Sequence, residues 1–281
     1  MEASSCLHSK DIIFVGDSVS RKLFFEFARS LDYSLPELML KGNQKHADHA
    51  FHTKYGTSLK FAWDPFLNTT FTKRLLEGGD RVPPAMLVLG SGLWYLRYAN
   101  TSGGIPAWES RMDDIFSLMK KPNIADEVVI LPVERVVTSK LSERRSSTMH
   151  PSDIEAMNSD LFHRINPPVE RAGSLKTPPL PPVPVSFPLA FNKMLDETMT
   201  EDGLHFSDIV LRMQAQILIN LRCNDVMPKV YPFNKTCCNK YPSPSLPHMI
   251  ALALVLLLGP FIALRSYNPG GPVFLFLPVI C

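Results

Sequence analysis

Three side chains that could form a nucleophilic relay, a Ser-His-Asp triad, lie in two motifs that are far apart in the sequence. Ser18 ends a Gly-Asp-Ser tripeptide that directly follows an apolar run, and Asp202 and His205 bound the tetrapeptide Asp-Gly-Leu-His. A serine hydroxyl is a weak nucleophile until a base removes its proton, and a histidine oriented by a carboxylate can serve as that base. The pattern predicts Ser18 as nucleophile, His205 as general base and then general acid, and Asp202 as the orienting anion.

Each half of this pattern also has an ordinary structural explanation. Serine and aspartate are both favoured at helix N-caps, so Gly-Asp-Ser after a strand is a modest signal by itself. His205 could be a surface histidine near a helix start, and Asp202 a capping residue. A strand-end serine near the beginning of the domain, combined with Asp-x-x-His near its end, is much more specific than either half.

The elements that must position these residues alternate between strands and helices. Short apolar runs predict strands at 11–15, 58–63, 85–89 and 127–132. Helical periodicity predicts helices at 20–30, 105–119, 152–165, 190–199 and 207–221. This alternation predicts an α/β fold, a parallel sheet with helices on both faces. Ser18 then lies on a strand-to-helix turn, at the edge where open α/β sheets bind ligands.

The segment 167–188 interrupts the alternation because it contains eight prolines. Proline cannot continue a helix or donate to a central strand, so an extended surface loop is predicted. A proline-rich binding motif is the alternative.

The two motifs resemble those of the SGNH/PC-esterase group of proteins. Gly-Asp-Ser with Arg21 and the Leu-Phe pair 23–24 after it, joined to the motif 202–205, carries this likeness. A closer resemblance is to the luminal domain of the Cas1p-like sialate/polysaccharide O-acetyltransferases in their fungal form. Segments 202–225, 231–242 and 89–94 carry it, and the likeness covers roughly residues 6–245.

The resemblance implies an SGNH-hydrolase-like three-layer sandwich that faces the Golgi lumen and transfers acetyl groups to the hydroxyls of glycans or polysaccharides. Ser18 would carry the acetyl group, and no bound cofactor is implied. In the family a membrane portion follows this domain and is thought to bring in acetyl units from cytosolic acetyl-CoA, the expected ultimate donor.

The residues around the nucleophile suggest further roles. The oxyanion hole is expected to use the Ser18 amide and an amide at Gly90 or Gly92, because free N–H groups at a strand-to-helix turn stabilise a developing oxyanion. The Asn donor of the wider SGNH pattern is missing, since Gly-Leu-Trp stands at 92–94. Arg21 is either structural or holds an acidic sugar such as glucuronate. Trp94 and its neighbour Tyr95 either stack on a sugar ring or pack in the core.

Charge and cysteine usage narrow the class of protein. The net charge is +2 without a long basic run, which argues against a nucleic-acid partner. No Cys-x-x-Cys pair occurs, so no metal site is expected. Cys223, Cys237 and Cys238 cluster as in a local disulfide of an oxidising compartment, with free cytosolic thiols as the alternative. Glycosylation sequons at Asn68, Asn100 and Asn234 also favour the secretory lumen.

The last fifth of the chain changes character. A catalytic domain is expected at 6–225, a Cys/Pro-rich connector at 226–247 and one or two membrane segments at 248–281, with a buried core helix as the alternative for the apolar run. No signal peptide is visible at the N-terminus. With so little of the family's membrane portion present, a truncated form is expected, located in the Golgi or secretory membrane.

Three functions remain open on the sequence. The first is an O-acetyltransferase, and the second is a carbohydrate acetyl esterase in which water replaces the sugar. The third is a non-catalytic glycan-binding protein with a decayed site, which the intact Ser18, Asp202 and His205 argue against.

Overall fold

A computed structural model describes most of the chain. It covers residues 3–35, 42–78, 82–120, 124–166 and 183–224. The expected connector 226–247, the expected membrane segments 248–281 and the sequon at Asn234 lie outside the described residues, as does most of the proline-rich segment. Within the described ranges, no helix combines the length and apolar character that a membrane span requires.

The centre of the fold is a six-stranded sheet with the strand order β2-β3-β1-β4-β5-β6. The strands are β1 (Asp11–Gly16), β2 (His49–His52), β3 (Ser58–Trp63), β4 (Met86–Leu89), β5 (Val128–Ile130) and β6 (Val185–Ser186). All neighbouring strands pair in parallel except β2, which runs antiparallel to β3 at one edge. The expected parallel α/β architecture is confirmed, with one antiparallel edge strand that the sequence pattern did not reveal.

Ten α-helices are present in the described part of the chain, together with 3-10 turns at Gly42–His46, Thr138–Lys140 and Glu197–Met199. The α-helices are α1 (Ala3–Cys6), α2 (Ser18–Leu31), α3 (Thr70–Leu76), α4 (Leu93–Arg97), α5 (Ala99–Ser102), α6 (Gly104–Leu118), α7 (Glu143–Ser146), α8 (Pro151–Ile165), α9 (Ala190–Lys193) and α10 (Asp208–Cys223).

Side chains of the central strands alternate between two apolar layers, as the pleat of a strand requires. Ile12 and Phe14 of β1 face α2 and α10, where Phe27 and Leu218 are fully buried. Ile13 and Val15 face the opposite layer, which α4, α6 and α8 supply. Because both faces of the sheet are covered at its centre, the strands β1, β4 and β5 read as nearly continuous apolar runs.

β1 occupies the position on which the site depends. It lies between β3 and β4, so the chain leaves β1 toward one side of the sheet and later returns on the other. Helices that follow neighbouring strands then diverge and leave a crevice at the carboxyl ends, where ligands bind in open α/β sheets. Ser18 begins the helix directly after β1 and therefore lies at this crevice.

Part of the proline-rich segment is not the extended surface loop that was expected. Val185 and Ser186 form β6, which pairs in parallel with β5, and Val183 just before it is buried. The strand lies at the edge of the sheet, where proline neighbours are tolerated because one side of the backbone needs no ladder partner. Proline content therefore excluded a central strand but not a short edge strand.

The disulfide also differs from the local pairing that the cysteine cluster suggested. Cys223 at the end of α10 pairs with Cys6, which lies 217 positions earlier, and their Cα atoms are 5.7 Å apart. The tertiary fold brings α1 and the end of α10 together, so spatial proximity rather than sequence proximity decides the pairing. The bond ties the segment before β1 to the last helix of the described domain.

Replacing both cysteines, as in Cys6→Ser/Cys223→Ser, is expected to lower the free energy of unfolding by about 2–5 kcal/mol. A crosslink that closes so long a loop removes much conformational entropy from the unfolded chain. Urea unfolding followed by tryptophan fluorescence measures the change. The wild type in excess reductant should match the double variant, and equal stability of the oxidised and reduced wild type would contradict the prediction.

Candidate active site

Ser18 is held at the first turn of α2 by the residue before it. The Asp17 carboxylate caps the helix, because Oδ1 accepts the backbone N–H of Val19 at 2.9 Å and that of Ser20 at 3.4 Å. The side chain of Asp17 is buried, and burial raises its pKa to about 6 despite the hydrogen bonds from Val19 and Ser20. Asp17 is thus a structural cap that fixes the direction of the Ser18 side chain.

The glycine before the cap permits a close approach of two loops. A Cβ on Gly16 would lie 2.5 Å from the carbonyl oxygen of Gly90, and one on Gly90 would lie 2.2 Å from Ser20 Oγ. A larger residue at Gly16 would therefore press on the backbone that follows β4, and one at Gly90 would press on the Ser20 side chain of α2. The two glycines therefore bring the second glycine block against the turn that carries Ser18.

Asp202 and His205 belong to a tight loop just before α10. Gly203 between them has a φ of +73°, a left-handed conformation that glycine adopts without strain. Asp202 Oδ1 accepts the backbone N–H of Leu204 at 3.0 Å and that of His205 at 2.7 Å. Thr200 Oγ1 donates to the carbonyl of His205 at 2.9 Å and closes the loop from its other side.

The two halves of the sequence pattern meet at hydrogen-bond distance. His205 Nε2 lies 2.9 Å from Ser18 Oγ, and His205 Nδ1 lies 2.9 Å from Asp202 Oδ2. If Nδ1 carries the ring proton toward the carboxylate, Nε2 is free to accept the serine proton. The arrangement has the geometry that a serine needs to become a nucleophile.

The electrostatic environment keeps the relay in its reactive protonation state. Burial lowers the pKa of His205 and outweighs the opposing effects of the Asp202 hydrogen bond and charge. Partial burial alone would raise the pKa of Asp202, but hydrogen bonds from the His205 amide and ring hold it well below its ordinary value. At neutral pH the pair is therefore a neutral imidazole beside a carboxylate.

Backbone hydrogen bonds distinguish between the Gly90 and Gly92 amides as candidates for the oxyanion hole. The Gly90 N–H donates to the carbonyl of Val15 at 3.0 Å, so this amide is already engaged. The expectation that Gly90 lines the oxyanion hole is therefore corrected. Gly92, the residue before α4, is the better candidate beside the Ser18 amide. Gly92 has a φ of +142°, and a Cβ there would lie 2.6 Å from Val133.

A cleft of about 400 Å³ opens over Ser18 and His205, and its walls are rich in cations. The basic side chains that line it are Arg21, Lys22, Lys45, Arg97 and Arg145, joined by His46. The two acidic groups of the lining are Asp17, which is buried as a cap, and Asp202, which is bound to His205. The cleft therefore carries a net positive potential, which favours anionic ligands.

Arg21 and Trp94 both line this cleft, and Tyr95 does not belong to the lining. Arg21 is buried, donates from Nη1 to the carbonyl of Lys45 and lies over the ring of Trp63, while its Nε has no partner. Tyr95 is a core residue whose hydroxyl donates to the carbonyl of Phe66 at 3.0 Å. Of the two aromatic candidates, Trp94 alone faces the space in which a sugar ring could stack.

Sequence reasoning missed three residues of the site. Arg97 lies over the rings of Trp94 and Tyr98, with a buried Nε that has no partner. Arg145 Nη1 donates to Asp202 Oδ2 at 3.0 Å. Glu134 is buried, and burial followed by the nearby charge of Asp17 raises its pKa well above the ordinary value. A single sequence offers no signal for them, because Arg97 and Arg145 lie on short helices and Glu134 lies between elements, none of them within a recognisable motif.

The two sequons inside the described ranges are accessible. The side chains of Asn68 and Asn100 are exposed, the first just before α3 and the second within α5. Their modification stays a prediction.

Comparison with known proteins relates the chain to an acetyltransferase. No family model matches the sequence. The chain is 25% identical over 260 residues to N-acetylneuraminate (7)9-O-acetyltransferase of Danio rerio, and the alignment covers 91% of this chain and 30% of that protein. The chain thus spans about 30% of the length of this relative. A crystal structure of a candidate acylhydrolase from Bacteroides fragilis matches with a TM-score of 0.47 and 13% identity, covering 78% of this chain and 88% of that one.

The lowered pKa of His205 predicts how Ser18 reactivity depends on pH. A neutral imidazole must accept the serine proton, so the rate of labelling by a fluorophosphonate should fall as the pH drops through the His205 pKa. Because burial lowers that pKa, the midpoint should lie below 6.5, the ordinary histidine value. Labelling rates between about pH 4.5 and 8 test this, and a midpoint above the ordinary value would contradict it.

Proposed function

We propose that the chain is an O-acetyltransferase domain that moves acetyl groups to hydroxyls of glycans or polysaccharides through an acetyl-Ser18 intermediate. The observation that carries this proposal is the contact of His205 Nε2 with Ser18 Oγ at 2.9 Å, with Nδ1 held on Asp202. The sequence similarity to an N-acetylneuraminate O-acetyltransferase over 91% of the chain supports it.

In the first half of the reaction Ser18 Oγ attacks the carbonyl carbon of the acetyl donor. The proton of the hydroxyl passes to His205 Nε2, and Asp202 stabilises the imidazolium that forms. The negative charge on the carbonyl oxygen is met by the amides of Ser18 and Gly92. The bond to the leaving group then breaks, the leaving group takes the proton from His205, and acetyl-Ser18 remains.

In the second half a glycan hydroxyl takes the place of the leaving group. His205 removes its proton as the oxygen attacks the acetyl carbonyl, and a second oxyanion forms in the same amide pair. Collapse breaks the bond to Ser18 Oγ, which recovers its proton from His205. The products are an O-acetyl sugar and the free enzyme, so no other reactant is consumed.

The lining of the cleft favours an acidic acceptor. Unpaired guanidinium nitrogens of Arg21 and Arg97 lie beside the catalytic crevice, and each guanidinium rests on an aromatic ring. Guanidinium groups bind carboxylates in a planar, bidentate manner. Trp94 offers a flat apolar surface for the sugar ring next to them.

The proposed function extends to the cellular compartment and to the acetyl donor. The Cys6–Cys223 disulfide suits an oxidising compartment such as the Golgi lumen, and the exposed sequons are compatible with it. Acetyl-CoA would be the ultimate acetyl source, and the apolar segment 248–281 would attach the SGNH-type domain to the membrane, as in the Cas1p-like proteins that the motifs resemble.

Hydrolysis of acetylated carbohydrates is the second candidate, because the site is open to water. The side chain of His205 is 21% exposed, so a water molecule could replace the sugar hydroxyl in the second half-reaction. The same residues would then act as an acetyl esterase. Product analysis separates the two activities.

Ser18→Ala should abolish covalent labelling by the fluorophosphonate and lower acetyl turnover by about 1,000-fold or more. The matched control is Ser91→Ala, because Ser91 also follows a buried strand and a glycine but its hydroxyl donates to the carbonyl of Pro65 at 2.7 Å. That variant should label at the wild-type rate. Peptide mapping identifies the labelled serine, and label on any other residue would refute the assignment.

With p-nitrophenyl acetate as donor, the wild type should acetylate sialyllactose faster than lactose. The carboxylate of sialyllactose, which lactose lacks, complements the cationic cleft. The kcat/KM for sialyllactose should therefore exceed that for lactose by about tenfold or more. Arg97→Gln should reduce this ratio mainly by raising the KM for sialyllactose. Mass spectrometry detects the O-acetyl sugars; free acetate as the only product from both acceptors would favour the esterase.

A further inference from the structure

Arg145 contacts the loop that carries Asp202 and His205, which is the catalytic loop of the proposed reaction. The triad of Ser18, His205 and Asp202 does not by itself require this contact. Arg145 Nη1 donates to Asp202 Oδ2 at 3.0 Å, the same oxygen that lies 2.9 Å from His205 Nδ1. The other carboxylate oxygen accepts the two backbone N–H groups of the loop. Both oxygens of Asp202 are therefore engaged, and Arg145 is the cationic donor among their partners.

The segment that carries Arg145 is itself fastened to the catalytic loop. Lys140 Nζ donates to the carbonyls of Glu197 at 2.6 Å and Thr200 at 2.8 Å. The backbone N–H of Val137 donates to the carbonyl of Gly203 at 2.8 Å. Because these bonds fasten 137–140, just before α7, to 197–203, α7 presents the guanidinium from a fixed position.

Asp202 needs such a partner because it is more accessible than its role suggests. Its side chain is 40% exposed, whereas those of His205 and Arg145 are each 21% exposed. An accessible carboxylate could exchange its bond to the imidazole for bonds to water. A charge-assisted hydrogen bond from a guanidinium opposes that exchange, since it is stronger than a bond between neutral groups.

The charge of Arg145 also reaches the base. The charged groups that face His205 are Asp202 of its own loop, Lys22 of α2 and Arg145 of α7. Burial is the main cause that lowers the pKa of His205, and the two cations lower it further against the effect of Asp202. Removing the charge of Arg145 would take away one of the two cations that disfavour the protonated ring.

We propose that Arg145 is a positioning residue that locks the Asp202 carboxylate onto His205 and keeps the imidazole ready to accept the serine proton. It acts through Asp202 rather than on the reacting atoms. The inference rests on the proposed function, because positioning matters only if His205 serves as the base for Ser18.

The test compares Arg145→Gln, Arg145→Lys and the wild type in the full chain. Arg145→Gln removes the charge and should move the midpoint of the pH profile for fluorophosphonate labelling upward by about half a pH unit or more. Its rate on the high-pH plateau should also fall about tenfold. Arg145→Lys keeps the charge, so its midpoint should match the wild type while the plateau recovers in part.

Arg144→Gln is the matched control, because this exposed neighbour on α7 undergoes the same chemical change. Its profile should coincide with that of the wild type. The imidazole of His205, identified by the NMR signal that is lost in His205→Gln, should titrate at higher pH in Arg145→Gln. This measurement needs no turnover and therefore reports on Arg145 independently of activity.

The outcomes distinguish this inference from the proposed function. Absence of labelling in the wild type would overturn the proposed function and this inference with it. Labelling with an unmoved midpoint and an unmoved His205 signal in Arg145→Gln would overturn the positioning role alone. A raised KM for sialyllactose with an unchanged pH profile would identify Arg145 as a substrate contact instead and would also overturn it. If Arg145→Gln does not fold, Arg145→Lys decides, because a shifted midpoint there would contradict the proposal.

Discussion

The hydrogen bond between His205 and Ser18 joins residues 187 positions apart in the sequence. It therefore depends on how the surrounding helices and strands pack. Ser18 opens α2, and His205 lies three residues before α10. These two helices pack on the same face of the sheet, where their apolar residues share one core with Phe14 of β1. Their packing brings both N-terminal ends to the carboxyl edge of β1. The Cys6–Cys223 disulfide adds a covalent link between the start of the domain and the end of α10.

Carboxyl groups near this edge illustrate how environment decides protonation. Burial raises the pKa of Asp17 to about 6, although two backbone N–H groups donate hydrogen bonds to its carboxylate. Burial raises the pKa of Glu134 well above its ordinary value, and one of its oxygens has no partner. Asp202 stays ionised because hydrogen bonds from its own loop and from His205 outweigh the cost of desolvation. The balance between burial and hydrogen bonding thus sets the pKa of each carboxyl group separately.

Much of the fold followed from local patterns. Continuous apolar runs located β1, β3, β4 and β5, and helical periodicity located α2, α6, α8 and α10 to within a few residues. These signals survive because buried parallel strands and amphipathic helices impose strong local periodicity. The edge strands β2 and β6 escaped notice, since β2 has no apolar run and β6 has only two residues beside prolines. The partner of Cys223 could not be found locally, because the pairing depends on which helices meet.

The sequence by itself determined which side chains form the relay, since Gly-Asp-Ser and Asp-Gly-Leu-His supply a hydroxyl, a carboxylate and an imidazole through residue type and short spacing. The tertiary structure alone decided what surrounds them. It engaged the Gly90 amide with Val15, placed Arg145 on Asp202 and gathered cations from segments distant in sequence around one cleft. Motif spacing specifies contacts within one turn of the chain. Contacts between segments distant in sequence depend on how whole helices and strands pack, which a short-range pattern does not specify.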